Sequence, residues 1–136
     1  MIKPIMKSEF FLRLPSEDAG PDDAATGQDL LDTLHEHEHE CVGLAANMIG
    51  VRKRIICVKD GSKSLLMYNP QILEQVNAYQ TSEGCLSLIG ERPCTRYRRI
   101  KVEYLDENFV HRTKNFSDYT AEIIQHEIDH CNGIVI

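Results

Sequence analysis

The segment "QHEIDH", Gln125 to His130, restricts the fold more than any other stretch of this 136-residue chain. On a helix, His126 and His130 lie one turn apart and project together, with Glu127 beside the first. A helix presents two imidazoles to a zinc-like ion in this way, with a carboxylate placed to reach water rather than the metal. A catalytic site of this type needs a third protein ligand. Only residues 131–136 follow, without the later Glu or His of a zinc peptidase. The third ligand is therefore expected upstream, on backbone that the fold brings against this helix. The pattern alone leaves one alternative open, a helix with two exposed or core-satisfied histidines.

Candidate ligands are sorted by their surroundings. His111 lies in a charged hairpin, which favours solvent. Cys57 sits among Ile and Val in a strand and reads as a buried hydrophobe. Cys131 follows His130 on the helix and points elsewhere, and Cys94 follows a proline in a charged loop. Cys41 stands at a helix end beside a glycine-rich turn. Cys85 stands in "SEGCLSL", where Gly84 permits close approach and Leu86 anchors the turn. These features favour Cys85, with Cys41 next. The five cysteines are odd in number and irregularly spaced, which argues against a disulfide framework. A Cys-His-His set leaves one tetrahedral position open for water, whose pKa falls toward neutrality. Glu127 would take the water's proton and pass it to a leaving amine. The reaction class is hydrolysis of an amide or similar carbonyl. By contrast, "HEHEHE" (35–40) places His35 and His39 on one helix face and His37 on another, so it reads as a solvated surface.

Residues 1–26 read as an irregular lead-in, and 27–40 as a helix carrying Leu30, Leu31 and Leu34. Segments 53–59 and 64–70 read as a hairpin around Asp60-Gly61, with extended structure beyond. Ile100, Val102 and Tyr104 alternate along a further strand that turns at "DEN". The closing helix has Ser117 or Asp118 as its cap and Gly133 as its stop. Together these elements predict a single α+β domain over 1–136. A net charge of −6 gives no general pull toward nucleic acid or anionic membrane. Nothing has signal-peptide or membrane-span length, so the cytoplasm is expected. Arg96, Arg98, Arg99 and Lys101 read as a solvated strand face, and Tyr97 and Tyr104 as sheet packing. Asp129 fits either a supporting role behind the metal or a helix-surface pair. Oligomeric state is not legible.

Three segments coincide with one family. "GLAANMIGV", "EGCLS" and "QHEIDH" stand in the order and at about the spacing of peptide deformylases, and the chain resembles that family over most of its length. Further likeness lies in "RIICV", in "NP" at 69–70 and in "NG" after the helix; it is weakest over 1–40. The resemblance implies antiparallel sheets packed around a central helix that carries HEIDH. It implies one divalent metal on Cys85, His126 and His130, typically Fe(II), with Zn, Ni or Co able to occupy the site. It implies Glu127 as general base and acid, and the Leu86 backbone N–H as a donor to the formyl oxygen. Val42, Gly43, Met48 and Gly84 fall in the substrate cleft, and Arg92 where a peptide-binding arginine often lies. The implied substrates are formylated nascent peptides leaving the ribosome, with no direct nucleic-acid binding.

The chain departs from the pattern in its first motif. Met48 stands where the family has a glutamine whose amide donates to the formyl oxygen, and methionine has no donor. Loss of one such donor typically costs about 10²–10³ in rate. Asn47 carries an amide, but adjacent side chains in extended structure point elsewhere. Cys41 replaces the motif's first glycine, and Ile89 replaces a proline after "EGCLS". A working deformylase with altered cleft chemistry is the first reading. The alternatives are a hydrolase of another N-acyl or amide substrate, or a catalytically weak metal-binding relative.

Overall fold

The computed structural model describes residues 1–135. Among them, five antiparallel strands form one sheet in chain order: β1 (Gly43–Ala45), β2 (Ile55–Asp60), β3 (Lys63–Cys85), β4 (Leu88–Leu105) and β5 (His111–Ser117). The β2–β3 hairpin closes with Asp60 opposite Lys63, and Gly61 takes a φ of 64°. The "DEN" turn forms because the Asp106 carboxylate accepts from the backbone N–H groups of Asn108 and Val110. The extended structure expected after 64–70 is part of the same strand, β3, which runs on to Cys85. Its register shifts near Tyr68–Gln71 and again near Ile72–Glu74, so the strand bends instead of ending. Pro70, which has no N–H to give, sits at the first of these irregularities.

Two helices pack on this sheet, α2 (Ala24–Glu36) and α3 (Asp118–Cys131), while the short α1 (Glu9–Leu12) packs on the 3-10 turn Ala46–Ile49. The α+β class holds, and α3 is the central element, in contact with β1, β2, β4 and β5. Among the described residues the antiparallel strands join in one sheet that bends along β3. Ala121, Ile124, Ile128 and Cys131 of α3 join Leu44, Ile55–Val58, Met67, Ile100 and Val102 in the core. Ser117 occupies the N-cap position without a side-chain bond, and Asp118 places its charge in the first turn. Gly133 ends the helix at φ 73°, its N–H on the His130 carbonyl. A Cβ there would lie 2.5 Å from the Arg13 carbonyl oxygen, so only glycine lets the two backbones meet.

Two helix boundaries differ from the expectation. α2 begins at Ala24 because Pro21–Asp23 already forms a 3-10 turn, with the Gly20 N–H on the Asp23 carboxylate. It ends at Glu36, and residues 37–40 turn away with His37 bonded to Glu40. The HEHEHE run thus straddles a helix end, and two of its histidines, His35 and His37, pair with Glu38 and Glu40 near the surface. The lead-in is not wholly irregular either. Ser8 accepts the Phe11 N–H and caps α1, whose Leu12 is completely buried, and the Ser16 N–H bonds to the Cys131 carbonyl. Leu12→Ala should therefore destabilise the fold by about 2–5 kcal/mol, while Phe10→Ala, at an exposed site, should change it by less than about 0.5 kcal/mol. Denaturant unfolding of both variants checks this; equal losses would contradict the packing described.

Candidate active site

α3 and the tip of the β3–β4 hairpin meet at the site. The helix brings His126, Glu127 and His130; β3 ends on Cys85, paired with Leu88 across a tight turn. Ligand atoms of Cys85, His126 and His130 all lie within 4.8 Å of one another, with Cys85 Sγ 3.3 Å from His130 Nε2. The donor set, one soft thiol and two imidazoles, suits Zn(II), Fe(II) or a similar ion. Both histidines and Glu127 are buried, and Glu127 Oε1 has no hydrogen-bond partner among the described residues. A carboxylate oxygen left bare beside such a group fits a place for water.

Behind the ligands lies a buried ion network that sequence reasoning did not find. The His126 Nδ1–H is 2.8 Å from Glu83 Oε1, which leaves Nε2 as the ring's free donor atom. Arg96 binds Glu83 through Nε and Nη2, the latter at 2.8 Å, and reaches Asp129 through Nη1 at 2.7 Å. Arg96 is therefore not on a solvated strand face: it is 4% exposed. A buried guanidinium needs partners, and its two carboxylates supply them. Asp129 has the supporting role. Arg98 and Arg99 of the basic run are exposed, and Arg98 stacks over the Tyr79 ring at 4.7 Å. Gln125 fixes the helix to β4 by exchanging two hydrogen bonds with the Tyr97 backbone, each 2.8 Å. Glu83 directly precedes Gly84-Cys85, and its charge beside the motif was the one legible hint of this network.

The electrostatics follow from burial and these contacts. Burial alone would raise Glu83, yet hydrogen bonds from His126 and Arg96 hold its carboxyl well below the usual range. Burial opposes charge on His126, but the Cys85 sulfur and Glu83 outweigh it and push this imidazole up to about 10. Burial and the neighbouring His126 charge push His130 down to about 3. Burial pushes Glu127 up to about 7, against the pull of His126.

A cleft of roughly 280 Å³ opens in front of these groups. Val42, Gly43, Met48, Gly84, Cys85, Leu86, His126 and Glu127 all line it. Gly43 has no room for a side chain: a Cβ would stand 2.7 Å from Ile123 Cγ2 and 2.9 Å from Glu127 Oε2. Met48 is buried, and its sulfur accepts the Ala45 N–H at 3.4 Å. Asn47 turns away and donates to the His130 carbonyl at 2.9 Å. The Leu86 carbonyl accepts from Lys7 Nζ at 2.8 Å. Arg92 is not among the lining residues; it reaches Glu9 at 3.3 Å. Cys41 lines the cleft outside the ligand group, donates to the Gly43 carbonyl, and is pushed up to about 12 by burial and by Glu127. Cys57 is fully buried, as its neighbours suggested.

The arrangement belongs to a class, the metal-dependent amide hydrolases, and comparison with known proteins narrows it. Residues 6–136 match the family model described as polypeptide deformylase. A peptide deformylase of Clostridium beijerinckii is 51% identical over 136 residues, all of both chains. Peptide deformylase 1 of Clostridium perfringens is 38% identical over 79% of this chain and 74% of its own. The Met-Ala-Ser-bound class I type b enzyme of Acinetobacter baumannii superposes with a TM-score of 0.87 at 30% identity, over 99% of this chain and 97% of that one. The Thermotoga maritima enzyme gives 0.89 at 27% identity, over 99% and 95%. The chain belongs to the peptide deformylase family. Its reaction is the metal-dependent hydrolysis that removes the N-formyl group from nascent peptides.

Arg96→Met should leave Glu83 and the half-buried Asp129 without their cation and cost about 3–5 kcal/mol of stability. It should also weaken metal binding by about 10–100-fold, because Glu83 would no longer be held against His126. Unfolding and metal titration of the variant check both effects, and an unchanged affinity would detach the network from the site.

Proposed function

We propose that deformylation by this chain is carried out by Cys85, His126 and His130 as ligands of a single divalent ion, with Glu127 as base and then acid. Glu127 carries the argument: a buried carboxylate with a bare oxygen, facing the cleft beside the ligand group. When bound, the ion, Fe(II) in the cell with Zn, Ni or Co as substitutes, polarises the formyl carbonyl and lowers the pKa of water toward neutrality. Glu127 takes a proton from the attacking water and delivers it to the amine nitrogen as the formyl C–N bond breaks. Glu83 holds His126 in the tautomer that leaves Nε2 for the ion. The Leu86 N–H receives the formyl oxygen, and Met48 has no donor to add. Val42, Gly43 and Gly84 admit the peptide backbone. Arg92, next to Glu91 of the cleft wall, binds peptide carbonyls once it turns from Glu9. The Acinetobacter baumannii enzyme is bound to Met-Ala-Ser, which supports a short peptide beginning with methionine as a ligand of this chain. Formylated chains emerge at ribosomes, so the cytoplasm beside the ribosome is the place of action.

Met48 favours a second reading, hydrolysis of a different N-acyl substrate. Turnover of a formyl-Met peptide by anaerobically prepared Fe(II) protein separates the two. The unaltered protein should deformylate it, and Glu127→Gln should lose about 10²–10⁴-fold in kcat. Met48→Gln should raise kcat/KM by about tenfold, less than the ~10²–10³ that a preorganised donor is worth, because the pocket is packed around methionine. No turnover by either the unaltered protein or Met48→Gln would favour the other substrate class. Separately, Cys85→Ala should abolish stoichiometric metal binding; an unchanged metal content would overturn the ligand assignment.

A further inference from the structure

His126 has the Glu83 carboxylate behind it, but His130 has no such partner among the described residues. Its Nε2 faces the Cys85 sulfur at 3.3 Å. The two nitrogens of an imidazole point apart, so Nδ1 looks away from the ligand group. That atom is buried and unpaired, and His130 is not among the residues that line the cleft. A buried ring nitrogen without a hydrogen bond is costly and calls for an explanation.

Asn47 carries the complement. It lies in the 3-10 turn Ala46–Ile49 and, like His130, is 1% exposed. Its Nδ2 donates to the His130 carbonyl at 2.9 Å. That carbonyl stands in the last turn of α3, where helix acceptors lose their usual partners, and it also takes the Gly133 N–H at 3.1 Å. The amide is thus anchored on the residue whose ring is unanswered. Asn47 Oδ1 is itself buried and unpaired among the described residues. The other side-chain atoms in that condition are Ser16 Oγ, Ser87 Oγ and Glu127 Oε1. Glu127 opens into the cleft, and a hydroxyl can serve as donor or acceptor. An amide oxygen only accepts. An imidazole that gives Nε2 to a metal holds its hydrogen on Nδ1 and only donates there. The two orphaned atoms match as acceptor and donor.

We propose that Asn47 is the positioning residue of His130: its amide nitrogen holds the backbone carbonyl, and its Oδ1 receives the Nδ1 hydrogen through one buried water, which fixes the ring with Nε2 toward the ion. This rests on the reading of His130 as a metal ligand. A water between two otherwise unpaired interior atoms satisfies both at small entropic cost. Asn47 does for His130 what Glu83 does for His126, with a neutral acceptor in place of a charged one. Neighbours in one turn divide the work: Met48 lines the cleft, and Asn47 serves the ligand group from behind.

Nitrogen-15 NMR of the metal-free full chain, labelled at histidine, reads the ring directly. Zinc titration against a competing chelator reads the consequence. In the unaltered protein His130 should be a single Nδ1–H tautomer whose hydrogen exchanges slowly with solvent. Asn47→Val, which fills the space without polar atoms, should give mixed tautomers and bind zinc about 10–100-fold more weakly. Asn47→Thr has nearly the shape of that variant but keeps a hydroxyl that donates and accepts, so it should restore the tautomer and most of the affinity. A side chain that only caps the helix end would lower the stability of both variants and leave the tautomer alone. Mixed tautomers or fast exchange in the unaltered protein would overturn the proposal, as would an unchanged tautomer and zinc affinity in Asn47→Val. A single protected Nδ1–H in an unaltered chain that takes up no zinc, lost in Asn47→Val, would uphold the hold of Asn47 on the ring and sink His130 as a ligand.

Discussion

The Arg96 guanidinium, carried by β4, grips Glu83 of β3 on one side and Asp129 of α3 on the other, and Glu83 in turn holds His126. Three elements that share no local sequence are fixed to one another by this buried cation. Because charges in a low-dielectric interior tolerate little misplacement, the contact acts as a gauge for the distance between hairpin and helix. Cys85 lies two residues beyond Glu83, so its sulfur reaches the two imidazoles only when that distance is right. The ligand group is thus specified from behind as much as by its own residues.

The helix boundaries of α3, the hairpin at Asp60-Gly61 and the placing of His126 and His130 on one helix face were legible because each rests on a local rule: helical periodicity, turn chemistry, or the i, i+4 spacing of two histidines. The approach of Cys85 to the two histidines was legible only as a ranking, since Cys41 and Cys85 both stand beside glycines and the choice depends on tertiary approach. Arg96 was misread because its neighbours Arg98, Arg99 and Lys101 look like a solvated run. The strand period of two places Arg96 and Arg98 on one face, yet one is buried by α3 and the other stacks on Tyr79. No single-chain pattern says where a helix ends its cover. Extended structure beyond Asn69-Pro70 was legible, but not that it continues β3 as one strand, because the bend at that point is a bulge that keeps pairing going.

Around Met48 the first motif keeps its backbone and changes its chemistry. Gly43 still passes against Ile123 and Glu127 with no space for a Cβ, so the wall of the cleft is where the family fold needs it. Met48 fills the adjoining volume with a sulfur that accepts a backbone N–H, and Asn47 is occupied by the His130 carbonyl. Shape and hydrogen bonding are separable here: the glycine preserves the first, and the methionine removes part of the second.

The ties that assemble the site are all distant in sequence. Asp129 and Arg96 are 33 residues apart, Glu83 and His126 are 43, and Cys85 and His130 are 45. Closing such loops is entropically unfavourable until the sheet and α3 are already in place, so the ligand group forms late in folding rather than around a local nucleus. A metal that joins Cys85 to the two histidines would then act as a reversible cross-link between hairpin and helix. Its effect on the rate of unfolding should exceed its effect on the rate of folding, because the contacts it reinforces are those absent from the early, compact chain.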